Sequence, residues 1–372
     1  MTNYEQLGKH IQTVDIRNSE SITDRVLGIN IDKYFMPSVA NVIGTDLSNY
    51  KLLHKGLFAC NPMHVGRDER LPVALYTENE PAIISPAYFM FELVDPKILN
   101  PEYLMMWFRR PEFDRLCWLK TDGSVRGGIT WDDICRLEVP VIPIEDQLHI
   151  AKNYSVISER IKIKQRINDN LEAIAQAYFD KIFDFIHPNC TLADIAEVNP
   201  LRPLPKGEEA RCFDMATLPT KGCIPTGDTM KPYNGGVRFT NGDTLLARIT
   251  PCLENGKAAY INILDEGEVA FGSTEYIVFS SKDETPSSFY YFLIRNQKFK
   301  TFALQFMNGS SGRQRVSGEE IATFPIHRPT KQTLQNFDLI GAKVLNHIKL
   351  ITNEIIGLKN LQDLMMETLS SR

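Results

Sequence analysis

Two clusters of basic residues are the groups in this chain most able to do chemistry. Arg109, Arg110, Arg115 and Lys120 lead into the glycine-rich run Asp122-Gly-Ser-Val-Arg-Gly-Gly128, which carries Ser124 and Arg126. Arg295, Lys298 and Lys300 lead in the same way into Asn308-Gly-Ser-Ser-Gly-Arg-Gln-Arg-Val316, which carries Ser310, Ser311, Arg313, Gln314 and Arg315. Lys and Arg anchor phosphates, while Arg, Gln and Asn fork onto base edges. Gly and Ser let a backbone approach a phosphate closely. A charge cluster is most often a solvated helix face, but this one recurs at equivalent places in both halves. Recurrence favours a DNA surface. Arg126 is the expected first-half counterpart of Arg313 and Arg315.

No comparable case can be made for catalysis. Asn61-Pro62-Met63-His64 lacks the aromatic at the fourth position with which an Asn-Pro-Pro-aromatic motif grips a flipped adenine. No glycine-rich loop follows a strand as a dinucleotide or S-adenosylmethionine fold requires. Asp95-Pro96-Lys97 is a lone acidic-basic fragment with no upstream acidic partner for a metal site. P-loop, nucleophile-elbow and zinc-protease motifs are absent from the sequence. The seven cysteines form no C-x-x-C pair, which fits reduced thiols in a cytosol better than zinc or disulfides. No catalytic residue, metal ligand or resident cofactor is expected.

Two long amphipathic stretches must position the basic clusters. From residue 150 to 185 apolar residues recur as Tyr154, Ile157, Ile161, Ile167, Leu171, Ile174, Tyr178 and Ile182, without an interior Pro or Gly. Near the other end Val344, Ile348, Ile351, Ile355, Leu358, Leu361, Met365 and Leu369 repeat the pattern. Two such stripes in one chain predict an intramolecular antiparallel pair. Lys164 and Asn168 stand where the second stripe has Ile351 and Ile355. They either pair across the seam or face solvent where the stripe drifts.

The residues before each stripe match too. Ser317-Gly-Glu-Glu-Ile321 falls 187 positions beyond Thr130-Trp-Asp-Asp-Ile134, and the runs 289–299 and 103–113 align as helices. The strand-like 274–279 falls beside 86–91, whereas Leu7-Gly-Lys-His-Ile11 matches Leu192-Ala-Asp-Ile-Ala196 only weakly. A tandem duplication accounts for this order. The expected fold is α+β: tandem mixed α/β recognition domains at 1–143 and 188–328, with long coiled-coil-like antiparallel helices at 144–187 and 329–372. Helices of about 60 Å would place the globules at opposite ends of a rod, related by a pseudo-two-fold axis.

A chain of 372 residues with 43% hydrophobic content can bury several cores, and its net charge of −5 advertises no global basic field. The absence of a signal-like start and of a membrane-length apolar run predicts a soluble, cytoplasmic protein without a membrane partner.

The whole chain resembles the specificity subunit of a type I restriction–modification enzyme. The resemblance is carried by Asn308–Val316 with Ile321 and Pro325, by Asp122-Gly-Ser124 with Ile134 and Pro140, and by the helix start Pro143-Ile-Glu-Asp-Gln147-Leu-His-Ile150. Gly242-Asp-Thr-Leu-Leu-Ala-Arg248, with Gly256-Lys257, is similar to the family's G-D-I-L-x-x-R pattern and adds Arg248 to the candidate DNA contacts. Its counterpart Gly56-Leu-Phe-Ala-Cys60 lacks the Asp and the Arg, and Pro329-Thr-Lys-Gln332 has lost the acidic residue of the helix start. The resemblance implies a non-catalytic reader of a bipartite, asymmetric double-stranded DNA target, with one half-site per domain and the helices as ruler. It also implies docking to DNA adenine methyltransferase subunits and restriction/translocase subunits, which would hold the S-adenosylmethionine, ATP and Mg2+. A scaffold with two protein-binding domains, and an orphan specificity subunit serving a methyltransferase alone, remain open.

Overall fold

The structure is a computed structural model that describes residues 3–40, 44–63, 65–121, 127–183, 185–310 and 312–370, with side chains from 4 to 367. It divides into two compact units, Met1–Glu159 with Asn360–Arg372, and Arg160–Lys359.

The core of the first unit is a four-stranded antiparallel sheet in the order Ile11–Thr13, Phe89–Leu93, Phe58–Cys60, Val73–Leu75. Alternating apolar residues place Phe58 and Phe91 on one face, stacked at 5.1 Å between ring centroids. Asn3–Gln6 pairs separately with Glu138–Val141. The run 101–113, expected as one helix, is two: Pro101–Phe108 and Pro111–Leu119. The ring of Pro111 disfavours a helical conformation at Arg110, which is extended at ψ 139° and starts the second helix.

The second unit repeats this plan. Its sheet runs Ala196–Val198, Tyr276–Ser281, Thr244–Ala247, Ala258–Tyr260, in the same antiparallel order. The weak match of 7–11 to 192–196 is a shared local structure: a 3-10 turn, Leu7–Lys9 or Leu192–Asp194, followed directly by the first strand of that sheet. Here too the expected single helix is split, into Ser287–Arg295 and Gln297–Gln305. The break falls at Asn296, whose side chain accepts from the Lys298 amide at 2.8 Å and caps the second helix. A further sheet, Thr229–Pro232, Glu209–Phe213, Ala270–Gly272, Val237–Phe239, covers the 204–271 region with its own small core.

The long helices span Ile144–Ile182 and Lys331–Ser370. The first begins directly after Pro143, with Glu145 and Asp146 in a first turn whose dipole favours them. It ends at residue 182 because Phe183 and Phe185 turn into the core of the second unit. Phe183 lies 4.5 Å from Phe179 and 4.9 Å from Phe289 between ring centroids. Within the second unit the helices run antiparallel: the Asn168 amide donates to Thr352 at 3.2 Å, Lys164 pairs with Glu354, and Tyr178 stacks on Phe337. In the first unit Gln362 donates to the Ser158 hydroxyl at 2.7 Å, and Ala151 shares a core with Met366.

Lys164 and Asn168 thus lie on the seam and not on a solvated face. The buried line follows Ile161, Lys164, Asn168, Leu171, Ala175 and Phe179 at helical spacing. Ile167 and Ile174, expected inward, are 42% and 66% exposed, and Leu361 of the second helix is 45% exposed. The inward positions fall one residue later, at Asn168, Ala175 and Gln362, and one residue is about 100° around a helix.

Candidate nucleic-acid interface

In the second unit three chain segments converge on one carboxylate. The strand Thr244–Ala247 delivers Arg248 at its end, and the strand Tyr276–Ser281 is preceded by Glu275. These strands are neighbours with Ala247 opposite Tyr276, so Arg248 and Glu275 meet just beyond the ladder, where the Arg248 amide donates to the Glu275 carbonyl at 2.9 Å. The loop of 308–316 then crosses them, bridging Arg315 to both Ile249 and Asn308. Gly309 lies at φ +127°, and a Cβ there would sit 3.1 Å from the Arg313 carbonyl, so the turn requires glycine.

The side chains at this junction form an ion triad. Arg315 Nε donates to both Glu275 oxygens at 2.8 and 2.9 Å, and its terminal nitrogen lies 2.8 Å from Oε1. Arg248 Nε donates to Oε2 at 3.2 Å. Arg313 is exposed, and its guanidinium has no partner among the described residues. Gln314 is half-buried, with its amide and carbonyl both bonded to Thr250 at 3.0 Å. Ser310 is exposed, and its carbonyl accepts from the Arg313 amide. Two guanidiniums on one carboxylate leave a local excess of positive charge on an acidic chain.

The rest of the G-D-x-L-x-x-R pattern is architectural. Asp243 is 1% exposed and grips Arg202 with both oxygens at 2.7 and 3.0 Å. Burial pushes its carboxyl above the usual range, and the Thr240 amide and Arg202 oppose that shift. Lys257 donates to the Met215 carbonyl at 2.7 Å.

Several sequence candidates are not surface groups. Arg295 is held inside: it donates to the carbonyls of Gly256 and Gly222 at 2.7 and 2.8 Å, to Tyr291 at 3.2 Å, and faces Glu172 at 3.7 Å. Its helix turns it inward over the Tyr291 ring, so it ties the loops at 222 and 256 to the first long helix. Arg110 is likewise only 6% exposed, with its guanidinium 4.1 Å above Trp107 and 3.3 Å from Glu112. Both residues are corrected from the expected DNA surface to the interior. Arg315, expected on the DNA surface, is bonded to Glu275.

Arg109 and Lys120 are exposed, whereas Ser124, Arg126 and Ser311 lie outside the described residues. Arg109, Arg115, Arg70 and Trp118 line an open cavity of about 750 Å³ whose wall includes the buried Lys33–Asp114 ion pair at 2.7 Å. Lys298 sits elsewhere, beside a groove lined by Phe302 and Phe324. Glu275 was missed in the sequence, where it is one acidic residue at the start of an apolar run. The only available signal was its place between a Gly-Ser turn and a strand.

Among the described residues of the first unit there is no such triad. By strand register Cys60 opposite Phe89 corresponds to Ala247 opposite Tyr276. Asn61 and Tyr88 therefore stand where the second unit has Arg248 and Glu275, and Tyr88 shares a side-chain hydrogen bond with Asn61. The Asn61-Pro62 run is thus the structural counterpart of Arg248-Ile249. Among the described residues no group of three or more His, Cys, Asp or Glu side chains could hold a metal ion, and no helix is long and apolar enough to cross a membrane.

The fold is that of a restriction–modification S subunit. A crystal structure of the S subunit of a type I restriction–modification system from M. genitalium superimposes with a TM-score of 0.59 at 15% identity, covering 99% of this chain and 96% of that one. Residues 225–360, which include the triad, match the family model described as the type I restriction modification DNA specificity domain. That match covers 136 of the 372 residues and lies wholly in the second half of the chain. The specificity subunit of the type I restriction enzyme EcoEI of Escherichia coli is 29% identical over 145 residues, 37% of this chain and 24% of the relative. That of EcoAI, also from Escherichia coli, is 32% identical over 148 residues, 38% of this chain and 25% of the relative. These matches span about a quarter of the curated relatives' own length.

Proposed function

We propose that the chain is the non-catalytic DNA-specificity subunit of a type I restriction–modification system. The observation that carries this reading is the exposed Arg313, whose guanidinium has no partner among the described residues, two residues before the Arg315 of the Arg248–Glu275–Arg315 triad and inside the specificity-domain match. Double-stranded DNA is the ligand, with a half-site read by each recognition domain, 1–143 and 188–328. The helices between them set the spacer. The different groups at equivalent places, Arg248 with Glu275 and Asn61 with Tyr88, support an asymmetric bipartite target, because Arg and Asn fork onto different bases.

The partners are DNA adenine methyltransferase and restriction/translocase subunits, which bring S-adenosylmethionine, ATP and Mg2+; this chain holds no cofactor. Support for a protein partner comes from the outer faces of the long helices, where Val156, Ile163, Ile174, Leu339, Leu350 and Leu364 are each at least 48% exposed. The site of action is the cytoplasm.

The test is co-expression of the chain with a methyltransferase subunit in a host lacking other adenine methylation, followed by mapping of methylated bases. The expected result is one bipartite asymmetric motif, lost when this chain is omitted. A protein scaffold would leave the methylation pattern independent of the chain, and its complex would bind DNA without a salt dependence traceable to Arg313.

A further inference from the structure

We propose that Glu275 is a positioning residue for DNA reading: it holds the Nε edge of Arg248 so that the terminal amino groups form a fixed fork for a base edge in the second half-site. This rests on the function proposed above and adds a specificity-determining residue to it.

The geometry is particular. Glu275 takes only Nε of Arg248, at 3.2 Å, and no terminal nitrogen of Arg248 has a partner among the described residues. Arg315 is held differently, with Nε and one terminal nitrogen on the carboxylate and the other terminal nitrogen on the Arg313 carbonyl at 3.1 Å. Arg315 therefore serves as a second clamp on Glu275, while Arg248 keeps the end that makes bidentate contacts. A carboxylate holding Nε removes much of the rotamer freedom an arginine loses on binding. Both ends of the clamp are anchored, because Arg248 and Glu275 are joined through the backbone and the Glu275 amide donates to Ser273 at 3.1 Å.

Glu275 also has an electrostatic effect. A carboxylate between two arginines weakens attraction to any phosphate backbone, so it lowers affinity for all sequences while sharpening choice at one position. Specificity is a difference of affinities, and a charge that penalises the wrong complex contributes to it. Among the described residues the first unit lacks the Arg–Glu pair, since Asn61 and Tyr88 occupy the equivalent places. The effect must therefore be confined to one half-site.

The experiment is methylome mapping of the complex assembled with wild-type chain, Glu275→Gln and Glu275→Asp, with salt titrations of binding to non-cognate duplex. Glu275→Gln keeps the shape and removes the charge. It is expected to lose about tenfold or more of base discrimination at one position of the second half-site, the scale of a bidentate contact. The salt slope for non-cognate DNA should steepen by up to about one unit. Glu275→Asp keeps the charge and shortens the reach, so it should relax the same position without steepening the slope; it carries the test if the Gln variant does not fold. The first half-site is the internal control. Unchanged discrimination in a folded variant, or equal relaxation of both half-sites, overturns the inference alone. A wild-type complex that directs no bipartite methylation overturns the proposed function and this inference with it.

Discussion

Arg315 and Glu275 are joined by a clasp in which one guanidinium nitrogen reaches both carboxylate oxygens, at 2.8 and 2.9 Å. The clasp fixes the end of the 308–316 loop to the mouth of a four-stranded sheet. It leaves Arg313, two residues earlier, exposed, with no partner for its guanidinium among the described residues. A loop that binds DNA needs that combination: backbone order, so that binding costs little entropy, and a charge that is not already neutralised.

Arg313→Ala should leave folding stability within about 0.5 kcal/mol of wild type, because it removes an exposed side chain with no partner among the described residues. In the assembled complex it should weaken binding to all DNA sequences and reduce the salt slope by roughly one. Adding Arg315→Ala should, in addition, weaken discrimination in the second half-site by releasing Glu275. An unchanged salt slope in the double variant would move the DNA surface elsewhere.

Arg295→Met should behave in the opposite way. The substitution removes the donor to the Gly256 and Gly222 carbonyls and the charge facing Glu172, which keeps its hydrogen bond from Tyr291; each group left unsatisfied costs about 1–3 kcal/mol. Denaturant unfolding should show this loss as a lower midpoint for the second unit. At a temperature where the variant is folded, the salt slope of DNA binding should match wild type. A stable variant with a reduced slope would return Arg295 to the DNA surface.

Gln147→Leu tests the polar residue at the helix start. Gln147 is fully buried, accepts from the Asn100 amide at 2.8 Å, and donates to the carbonyls of Ile98 and Ile142 at 2.9 and 2.7 Å. Leucine leaves three backbone groups without partners, at about 1–3 kcal/mol for an unsatisfied buried group. The first unit should lose stability by at least that amount in thermal or chemical unfolding. A neutral result would mean water replaces the amide.

The spacer role of the helices calls for a paired change. Four residues inserted between Glu159 and Arg160, with four more between Lys359 and Asn360, lengthen both helices by about 6 Å and keep their antiparallel register. Both points fall where the chain passes between its two units. The methylated target should keep both half-site sequences and widen its spacer by about two base pairs, at roughly 3.4 Å each. An active complex with the original spacer would remove the ruler role from the helices.

What the sequence determined by itself was repetition and periodicity. The duplication was legible because local patterns such as Thr130–Ile134 and Ser317–Ile321 encode helix caps, and a cap is specified within four residues. The long helices were legible because a run of steps of three and four over 30 or more residues has one regular solution. The common sheet order beneath the poorly matching 1–90 and 188–275 regions became visible only in three dimensions. Strand pairing is set by contacts between distant residues, and many side chains satisfy the same pleat. Tertiary structure likewise decided which arginines face water. Arg110 and Arg295 stand in basic clusters along the chain, yet a turn before Pro111 and an inward-facing helix register bury them against Trp107 and Glu172. Charge is written in the sequence, but its neutralisation depends on which distant acid the fold brings within about 4 Å. For Arg248 and Arg315 that acid is Glu275, 27 residues from the one and 40 from the other.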